Sequence, residues 1–308
     1  MSTVAPPVKS SRPAADSAVL EWQTLGTSVT PALFGKFQRL IHQETGIWLG
    51  DSKAALLCGR LSRRLRALGI SSLDQYYKLV VQHNQHEERV LMIDAITTNE
   101  TRFFREPQQF AFLEQRLIPR WLGDAQQGLR QKTVRLWSAG CSSGEEPYSL
   151  AMLLARHLPE QQGWSVTVLA TDISTRMLTR ARMGIYSIAN SVDIPELLLK
   201  DYMLKGIANQ HGQMKVMPEI QTMVHFQKLN LTQGPYPPNG HFDAIFCRNV
   251  LIYFDLESRR KVVGHLIRCL SRRGLLFMGQ AESLAVLSSP LRSLAPAVYA
   301  RTGEARGL

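Results

Sequence analysis

The sequence is poor in cysteine, and it contains no apolar run long enough to span a membrane. The four cysteines among its 308 residues lie far apart without CxxC spacing; they are Cys58, Cys141, Cys247 and Cys269. This scatter argues against a zinc site and against a disulfide framework. It fits a protein of the reducing cytoplasm, where thiols stay reduced.

The N-terminal stretch MSTVAPPVKSSRPAADSA lacks the apolar core of a signal peptide. Its composition predicts a disordered tail over residues 1–20. The whole chain contains 44% hydrophobic and 20% charged residues, which is ordinary for a globular protein. The net charge of +11 predicts an acidic partner, which is nucleic acid, an acidic protein surface or a carboxylate substrate.

The stretch TVRLWSAGCSSGEEPYSL, residues 133–150, is the centre of the predicted fold. It predicts a short buried strand, a turn of small residues and a helix, which together form the first unit of a Rossmann-like nucleotide site. Gly140 and Gly144 allow a tight turn and leave room for a ligand beside the backbone. Pro147 suits the first turn of the helix, where its missing N–H is not needed.

Two glutamates open that helix and limit the choice of ligand. The N–H groups at the start of a helix normally attract phosphate, but the carboxylates of Glu145 and Glu146 would repel a pyrophosphate. NAD and ATP are therefore poor candidates, whereas S-adenosylmethionine, with its sulfonium, ammonium and ribose diol, fits better. The alternative is that both glutamates only complement the helix dipole, and this stretch alone leaves that open.

An acidic residue, Asp172, follows the second predicted strand, residues 165–170. In Rossmann-type folds an acid at this place binds the ribose hydroxyls. The alternative is that Asp172 is the N-cap of a helix over residues 174–181. The turn at Gly163, ahead of the strand, favours the ribose role.

Residues 31–105 show the apolar spacing of helices. Within them, residues 53–68 carry an apolar stripe on one side, and Gly69 is expected to end the helix. The other side carries four arginines, which are Arg60, Arg63, Arg64 and Arg66. They indicate either a solvated helix face or a docking face for an acidic helix.

The segment TTNETRFFRE, residues 97–106, is dense in hydrogen-bonding side chains. It is either a capped loop or a wall of the cofactor pocket. In a pocket wall, Asn99 and Thr101 would supply polar contacts and Arg105 a positive charge. Phe103 and Phe104 would then pack beneath them.

Residues 184–229 interrupt the alternation of strands and helices. Short strands are predicted at residues 213–216 and 223–227, so this part is expected to form a small inserted β unit with a hairpin loop at residues 205–212. The stretch HFDAIFCRNVLIYF, residues 241–254, predicts a buried strand that ends at Arg248 and Asn249. Such residues face the ligand crevice of a parallel sheet, while Cys247 is expected to be a core thiol.

The resulting fold class is α/β. We expect a Rossmann-like methyltransferase domain of the class I, S-adenosylmethionine-dependent type, with an inserted small β-subdomain and an all-helical N-terminal domain before it. The expected bounds are 21–106 for the helical domain and 107–308 for the methyltransferase domain, with the insert at about 188–228.

The chain resembles the CheR family, the chemotaxis receptor methyltransferases that esterify glutamate side chains. The resemblance runs from about Pro31 to Arg301. It rests on several motifs in the family's order, which are RLSRRLRALG, TTNETRFFRE, WSAGCSSGEEPYS, ATDIS, LNL and FDAIFCRNVLIYF. Several long motifs in order are more specific than a single glycine pattern.

The resemblance implies methyl transfer from S-adenosylmethionine to receptor glutamates, with S-adenosylhomocysteine as product. It places Arg105 and Tyr253 beside the methyl-transfer site. It makes the four arginines a docking face for the cytoplasmic helices of chemoreceptors. The residues that it assigns to the cofactor are Asn99, Thr101, Arg105, Glu146, Asp172, Asn230, Leu231, Arg248 and Asn249.

The resemblance also concerns the partners. The inserted β unit resembles the subdomain that binds a receptor's C-terminal peptide in some members of the family, but the loop sequence KGIANQHG leaves such tethering open. We further expect a cytoplasmic monomer that holds no metal ion and does not insert into the membrane.

Two other functions compete with this one. A nucleic-acid methyltransferase is favoured by charge and fold, but the sequence has neither an Asn/Asp-Pro-Pro-aromatic motif nor an aromatic-rich basic patch. A signalling adaptor that binds the cofactor without turnover is the third. Against it stand the intact Arg105, Glu146, Asp172, Asn249 and Tyr253.

Overall fold

The computed structural model describes residues 29–237, 242–282 and 290–302. The tail expected at residues 1–20 and His241 lie outside them. The chain forms two compact units. The first holds the described residues up to Leu40 together with Gly50–Ile96, and the second holds Ile41–Leu49 and the described residues from Thr97 onward. The first unit therefore ends at Ile96, ahead of the boundary expected at residue 106.

The first unit is built from helices. They are α1 (Pro31–Thr45, which belongs to this unit up to Leu40), α2 (Ala54–Leu68), α3 (Leu73–Val80) and α4 (His86–Ile96). A 3-10 turn, Asp51–Lys53, precedes α2. Gly69 ends α2 as expected, because its φ of 64° is left-handed and its N–H donates to the carbonyl of Arg66. The hydroxyl of Ser72 caps α3 by accepting the N–H of Gln75 at 3.3 Å.

The predicted apolar stripe of α2 faces the core of the first unit. Leu57, Leu61 and Leu65 are buried, although Leu68 at the end of the stripe is exposed. From α1, Phe37 packs edge-on against Tyr77 with ring centroids 5.2 Å apart. Burial of this stripe removes apolar surface from water, which is the main source of stability for helices of this length.

A buried carboxylate organises the polar side of this core. Glu88 of α4 is only 7% exposed. Its two oxygens accept from Arg64, at 3.0 Å from Nε and 2.5 Å from Nη2, and the hydroxyl of Tyr76 donates at 2.7 Å. Arg64 therefore serves the interior of the unit, which corrects the expectation that its guanidinium belongs to an outward docking face.

The second unit contains a large mixed sheet and a small one. Its strands are β1 (Thr133–Ala139), β2 (Ser165–Asp172), β3 (Ile185–Ser187), β4 (Met203–Lys205), β5 (Gln213–Val216), β6 (Val224–Lys228), β7 (Phe242–Cys247), β8 (Leu270–Met278), β9 (Leu291–Ala295) and β10 (Val298–Arg301). Its helices are α5 (Pro107–Phe112), α6 (Ile118–Gln126), α7 (Glu145–His157), α8 (Thr175–Met183), α9 (Glu196–Tyr202), α10 (Pro218–Thr222) and α11 (Leu256–Cys269). A π-helical turn, Leu113–Leu117, joins α5 to α6.

Seven of the described strands form the large sheet in the order β6-β2-β1-β7-β8-β10-β9. They run parallel except β10, which is antiparallel to both of its neighbours. From β1 the chain first builds outward through β2 and β6, and it then returns to place β7 on the other side of β1. Such a reversal opens a ligand crevice at the carboxyl ends of the two central strands.

Helices cover both faces of this sheet because its central strands are apolar on both faces. On one face Leu136 and Phe246 lie in the same core as Leu150 of α7. On the other face Trp137 and Ile245 share a core with Val262 of α11 and its neighbours. The predicted fold class, with a helical unit followed by a Rossmann-like α/β unit, is confirmed.

The small sheet has the order β3-β5-β4 with antiparallel pairs, and the loop between β4 and β5 is the predicted hairpin connection. The assignment of residues 223–227 to this insert was wrong. Strand β6 instead pairs in parallel with β2 at the edge of the large sheet, with Val224 opposite Val168. The short helix α10, Pro218–Thr222, separates β6 from the strands of the small sheet.

Among the described residues, no helix combines the length and the apolar character that a membrane span requires.

The Arg64–Glu88 pair should stabilise the first unit. Arg64→Ala leaves Glu88 buried with one hydrogen-bonding partner fewer, so the free energy of unfolding should fall by about 1.5–3 kcal/mol. Arg63→Ala, an exposed neighbour on the same helix, should change it by less than about 0.5 kcal/mol. Urea unfolding followed by circular dichroism measures both, and equal effects would contradict the assignment.

Candidate active site

Loops from four strands meet at the carboxyl edge of the large sheet. They follow β1, β2, β6 and β7, and the β1 and β7 loops flank the point where the strand order reverses. The sequence-predicted residues Asp172, Arg248 and Asn249 lie in or next to these loops, as does Glu146 at the start of α7. The topology thus brings together residues that are far apart in the sequence.

The turn after β1 depends on its two glycines. Gly140 and Gly144 have φ values of 87° and 96°, which other residues rarely adopt. A Cβ on Gly140 would lie 2.4 Å from Cγ2 of Val250 in the β7 loop, and one on Gly144 would lie 2.9 Å from Cβ of Ala181. The turn is tied to β2 because the N–H groups of Gly140 and Cys141 both donate to the carbonyl of Thr171. The predicted role of the glycines in a tight turn is confirmed.

Asp172 holds this turn from the end of β2. Its carboxylate is 8% exposed; Oδ2 accepts the N–H of Ser142 at 2.8 Å, and Oδ1 accepts that of Ser174 at 2.9 Å. The N-cap of α8 is Ser174, whose hydroxyl accepts the N–H of Met177, so the alternative role of Asp172 as that N-cap was wrong. Each carboxylate oxygen can accept more than one hydrogen bond, so the geometry is compatible with a bound diol.

The two glutamates at the start of α7 occupy different surroundings. Glu145 is 2% exposed and accepts the hydroxyl of Ser143 at 2.7 Å. Glu146 accepts the hydroxyl of Ser138 at 2.7 Å and pairs with Arg248 at 3.2 Å. Burial raises the pKa of both carboxyls, and for Glu146 the charge of Arg248 opposes that rise. Neither glutamate is a solvated side chain that only complements the helix dipole.

Arg248 connects three segments of the site. Its guanidinium is only 2% exposed and lies 3.2 Å from Glu146 and 3.5 Å from Glu106, and it also donates to the carbonyl of Arg105. Its cationic carbon lies 5.7 Å from the ring centroid of Phe110. Because a buried charge is costly without partners, this network fixes the β7 end, the start of α7 and the segment before α5 relative to one another.

The segment before α5, residues 97–106, forms part of the same edge. The carbonyl of Asn99 accepts the hydroxyl of Ser142 at 3.0 Å, and the N–H of Phe104 donates to the hydroxyl of Ser149 at 3.0 Å. Phe103 and Phe104 are buried, as expected for residues packed beneath. Arg105 donates to the carbonyl of Glu100 at 3.0 Å, while Thr101 is half-buried. The segment is therefore bonded to the glycine turn.

Asn230 and Leu231 follow β6, close to Asp172, because the N–H of Leu229 donates to the carbonyl of Asp172 at 3.0 Å. The side chain of Asn230 accepts the N–H of Thr232 and donates to the carbonyl of Glu44, 2.8 Å away. Leu231 is buried in the core beside Trp137. Both residues thus shape the loop after β6.

The loop after β7 carries Asn249 and Tyr253. Asn249 has a left-handed φ of 59°, and Tyr253 ends the 3-10 turn Leu251–Tyr253. The carbonyl of Tyr253 accepts the N–H of Trp48 at 2.8 Å, and Ile47 pairs with Phe254 in an antiparallel bridge. The side chain of Tyr253 is half-buried.

Two acids of this region were missed by the sequence analysis. Glu106 pairs with Arg248, and Glu282 accepts backbone N–H groups of the β7 loop. The only local signal for Glu106 is its position directly before Pro107, which suits the first turn of a helix. Glu282 follows a strand and Gly279, but a single acid after a strand resembles a surface residue.

The four arginines of α2 do not share one environment. Arg64 is paired with Glu88, and Arg60 donates to the carbonyl of Ile96. Arg63 and Arg66 are exposed, and Arg66 donates only to its own helix, at the carbonyl of Ser62. A docking face on this helix would therefore present Arg63 and Arg66, while Arg60 and Arg64 serve the unit's own structure.

The buried thiols of Cys141 and Cys247 lie near the site, but burial raises their pKa well above the ordinary value. They are therefore protonated core residues, as expected for Cys247. In the described part of the chain, no group of three or more His, Cys, Asp and Glu side chains could hold a metal ion.

The chain matches two family models that lie side by side. Residues 32–97 match the CheR methyltransferase all-alpha domain, and residues 99–297 match the CheR methyltransferase SAM-binding domain. The junction between the matches agrees with the end of the first unit at Ile96.

Curated relatives align over nearly the whole chain. The chemotaxis protein methyltransferase of Salmonella typhimurium is 36% identical over 292 residues, which cover 94% of this chain and 97% of that protein. The Escherichia coli protein of the same name is 37% identical and covers 94% of this chain and 98% of its own length. The chemotaxis protein methyltransferase 2 of Pseudomonas aeruginosa is 37% identical, with 86% and 91% covered.

Both domains and their order match, and the alignments with the curated relatives span both of them. The chain therefore belongs to the CheR family of S-adenosylmethionine-dependent chemotaxis methyltransferases.

Proposed function

We propose that the protein methylates glutamate side chains of chemoreceptor cytoplasmic domains and thereby forms glutamyl methyl esters for sensory adaptation. The observation that carries this proposal is the alignment of 94% of the chain with a chemotaxis protein methyltransferase. A glutamate carboxylate is ionised at neutral pH and is already a nucleophile. The protein therefore has to align the acceptor with the methyl group, which is catalysis by proximity and orientation.

The residues of the carboxyl edge fit S-adenosylmethionine, which supplies an activated sulfonium methyl group when bound. The glycine turn lies at this edge, and the carboxylate of Asp172 suits the ribose diol. The Oδ1 atom of Asn249 is buried and has no hydrogen-bond partner among the described residues, so it can accept a donor from the cofactor.

Further residues complete the proposed cofactor site. Asn99, Thr101 and Arg105 line it from the segment before α5, and Asn230 and Leu231 line it from the loop after β6. Glu146 and Arg248 act as a neutralised pair that holds these walls together. The support for this assignment is their common position at the carboxyl edge.

We assign the acceptor side to Arg105 and Tyr253. The guanidinium of Arg105 can orient the glutamate carboxylate by charge, and the hydroxyl of Tyr253 can donate a hydrogen bond to it. Neither group needs to remove a proton, because the attacking carboxylate carries none at neutral pH.

We further propose that the enzyme works in the cytoplasm as a monomer and docks on the acidic helices of receptors through Arg63 and Arg66. The small sheet β3-β5-β4 has two edge strands, each of which could pair with an extended receptor tail peptide. Peptide capture at that edge would tether the enzyme to its substrate and raise the local receptor concentration.

The proposed activity is tested with radiolabelled S-adenosylmethionine and a panel of receptor cytoplasmic domains, with RNA as a parallel acceptor. We expect base-labile label on receptor glutamates and none on RNA. Label on RNA alone would favour the nucleic-acid methyltransferase, and cofactor binding without transfer would favour the adaptor.

Asp172→Asn should weaken S-adenosylmethionine binding, because a charge-assisted hydrogen bond to the ribose is lost. Hydrogen bonds to charged groups contribute about 1.5–3 kcal/mol, so the dissociation constant should rise about 10- to 150-fold. The matched control is Asp243→Asn, since Asp243 also accepts a backbone N–H, that of Arg135 at 2.9 Å, but at the opposite end of β7. Calorimetry measures the dissociation constant of S-adenosylmethionine for both variants. An unchanged dissociation constant for Asp172→Asn would show that Asp172 is not part of the cofactor site.

The double variant Arg63→Glu/Arg66→Glu should lower receptor methylation at low receptor concentration while leaving cofactor affinity and melting temperature nearly unchanged. Charge complementarity mainly steers association, and added salt should slow the wild-type enzyme for the same reason. The control Arg260→Glu/Lys261→Glu makes the same change in net charge at exposed positions of α11. If both double variants behave alike, the effect belongs to net charge and α2 is a solvated helix.

A further inference from the structure

A buried carboxylate beyond the expected site residues joins two neighbouring strand ends of the large sheet. Glu282, just after β8, is 7% exposed. Its Oε2 accepts the N–H of Gly279 and the N–H of Asn249, each at 2.8 Å, and its Oε1 accepts the N–H of Ile252 at 3.2 Å. Two of these three donors belong to the loop after β7, which carries Asn249 and Tyr253.

The backbone of that loop is irregular. Asn249 adopts a left-handed φ of 59°, which is uncommon for non-glycine residues although asparagine is enriched there. The N–H of Asn249 points at the Glu282 carboxylate, and the N–H of Ile252 does so three residues later. The carboxylate thus forms hydrogen bonds with both ends of the turn that leads to Tyr253.

The space around Gly279 shows how closely the two segments approach each other. A Cβ at Gly279 would lie 2.8 Å from the backbone N of Asn249, and equally close to Nδ2 of Asn249 and Oε2 of Glu282. The end of β8 therefore approaches the β7 loop so closely that no side chain fits between them. The contact thus depends on residues from both segments, Gly279 and Glu282 after β8 and Asn249 after β7.

We infer that Glu282 is a positioning residue for methyl transfer, which acts through the β7 loop on Asn249 and Tyr253. This inference rests on the proposed function. The carboxylate accepts three backbone N–H groups, and we assign it no contact with the cofactor or the acceptor. Its effect is to hold Tyr253 beside the position of the acceptor carboxylate. Small misplacements of an aligned group lower the rate of methyl transfer strongly.

The test uses Glu282→Gln in the full chain. The amide keeps the size of the side chain but has one accepting oxygen, and its NH2 group would face an N–H donor such as that of Ile252. At saturating cofactor, well below the melting temperature, kcat for a receptor cytoplasmic domain should fall on the order of 10- to 100-fold. KM for the receptor and the dissociation constant of S-adenosylmethionine should change less than kcat.

Asp243→Asn is the matched control, because Asp243 also joins a backbone N–H to β7 but lies at the other end of the strand. A structural role alone would shift the melting temperature of both variants and leave kcat of the folded enzyme unchanged in both. Should Glu282→Gln fail to fold, Gly279→Ala disturbs the same junction with the carboxylate retained, and it should lower kcat likewise.

A double-mutant cycle with Tyr253→Phe tests the route of the effect. If Glu282 acts through Tyr253, the double variant Glu282→Gln/Tyr253→Phe should be little slower than the slower of the two single variants. Fully multiplicative losses, or a kcat of Glu282→Gln equal to that of wild type, would overturn the inference. A wild-type enzyme that methylates no receptor would instead overturn the proposed function.

Discussion

The buried charge of Arg248 is the constraint on which the candidate site depends. A guanidinium in the interior is tolerated only with carboxylates and carbonyls around it, and its partners come from the start of α7, from Glu106 and from the carbonyl of Arg105. Three segments that are distant in sequence therefore have to meet at the end of β7. This meeting sets the positions of three segments, which are the glycine turn, the segment before α5 and the β7 loop.

Carboxylates act at this edge mainly as acceptors for backbone N–H groups. Asp172 ties the glycine turn to β2, and Glu282 ties the β7 loop to β8. Loops that lack regular hydrogen-bonded partners keep their shape in this way, since a carboxylate can accept several donors at once. The hydrogen bonds of these acidic residues to the backbone give them a structural role that is independent of any ligand.

In the helical unit, neighbouring arginines of one helix lie in different environments. Arg64 neutralises Glu88 in the core of that unit, whereas Arg63 and Arg66 stand in solvent on the same helix. A helix rotates by about 100° for each residue, so adjacent arginines necessarily point in different directions. An electrostatic interface on α2 would therefore involve fewer arginines than the four in its sequence.

Local periodicity and the backbone states that glycine permits were enough to predict three features. They are the helical first unit, the strand–glycine turn–helix at residues 133–150 and the Rossmann-like class of the second unit. The motifs also pointed to Asp172, Arg248 and Asn249 at strand ends. The strand pairing showed that β6 joins the large sheet and not the insert, because the sequence of a five-residue strand does not specify its partner. Only the tertiary structure decided that Arg64 faces Glu88 and that Glu106 and Glu282 belong to the site, because those partners are set by how distant segments pack together.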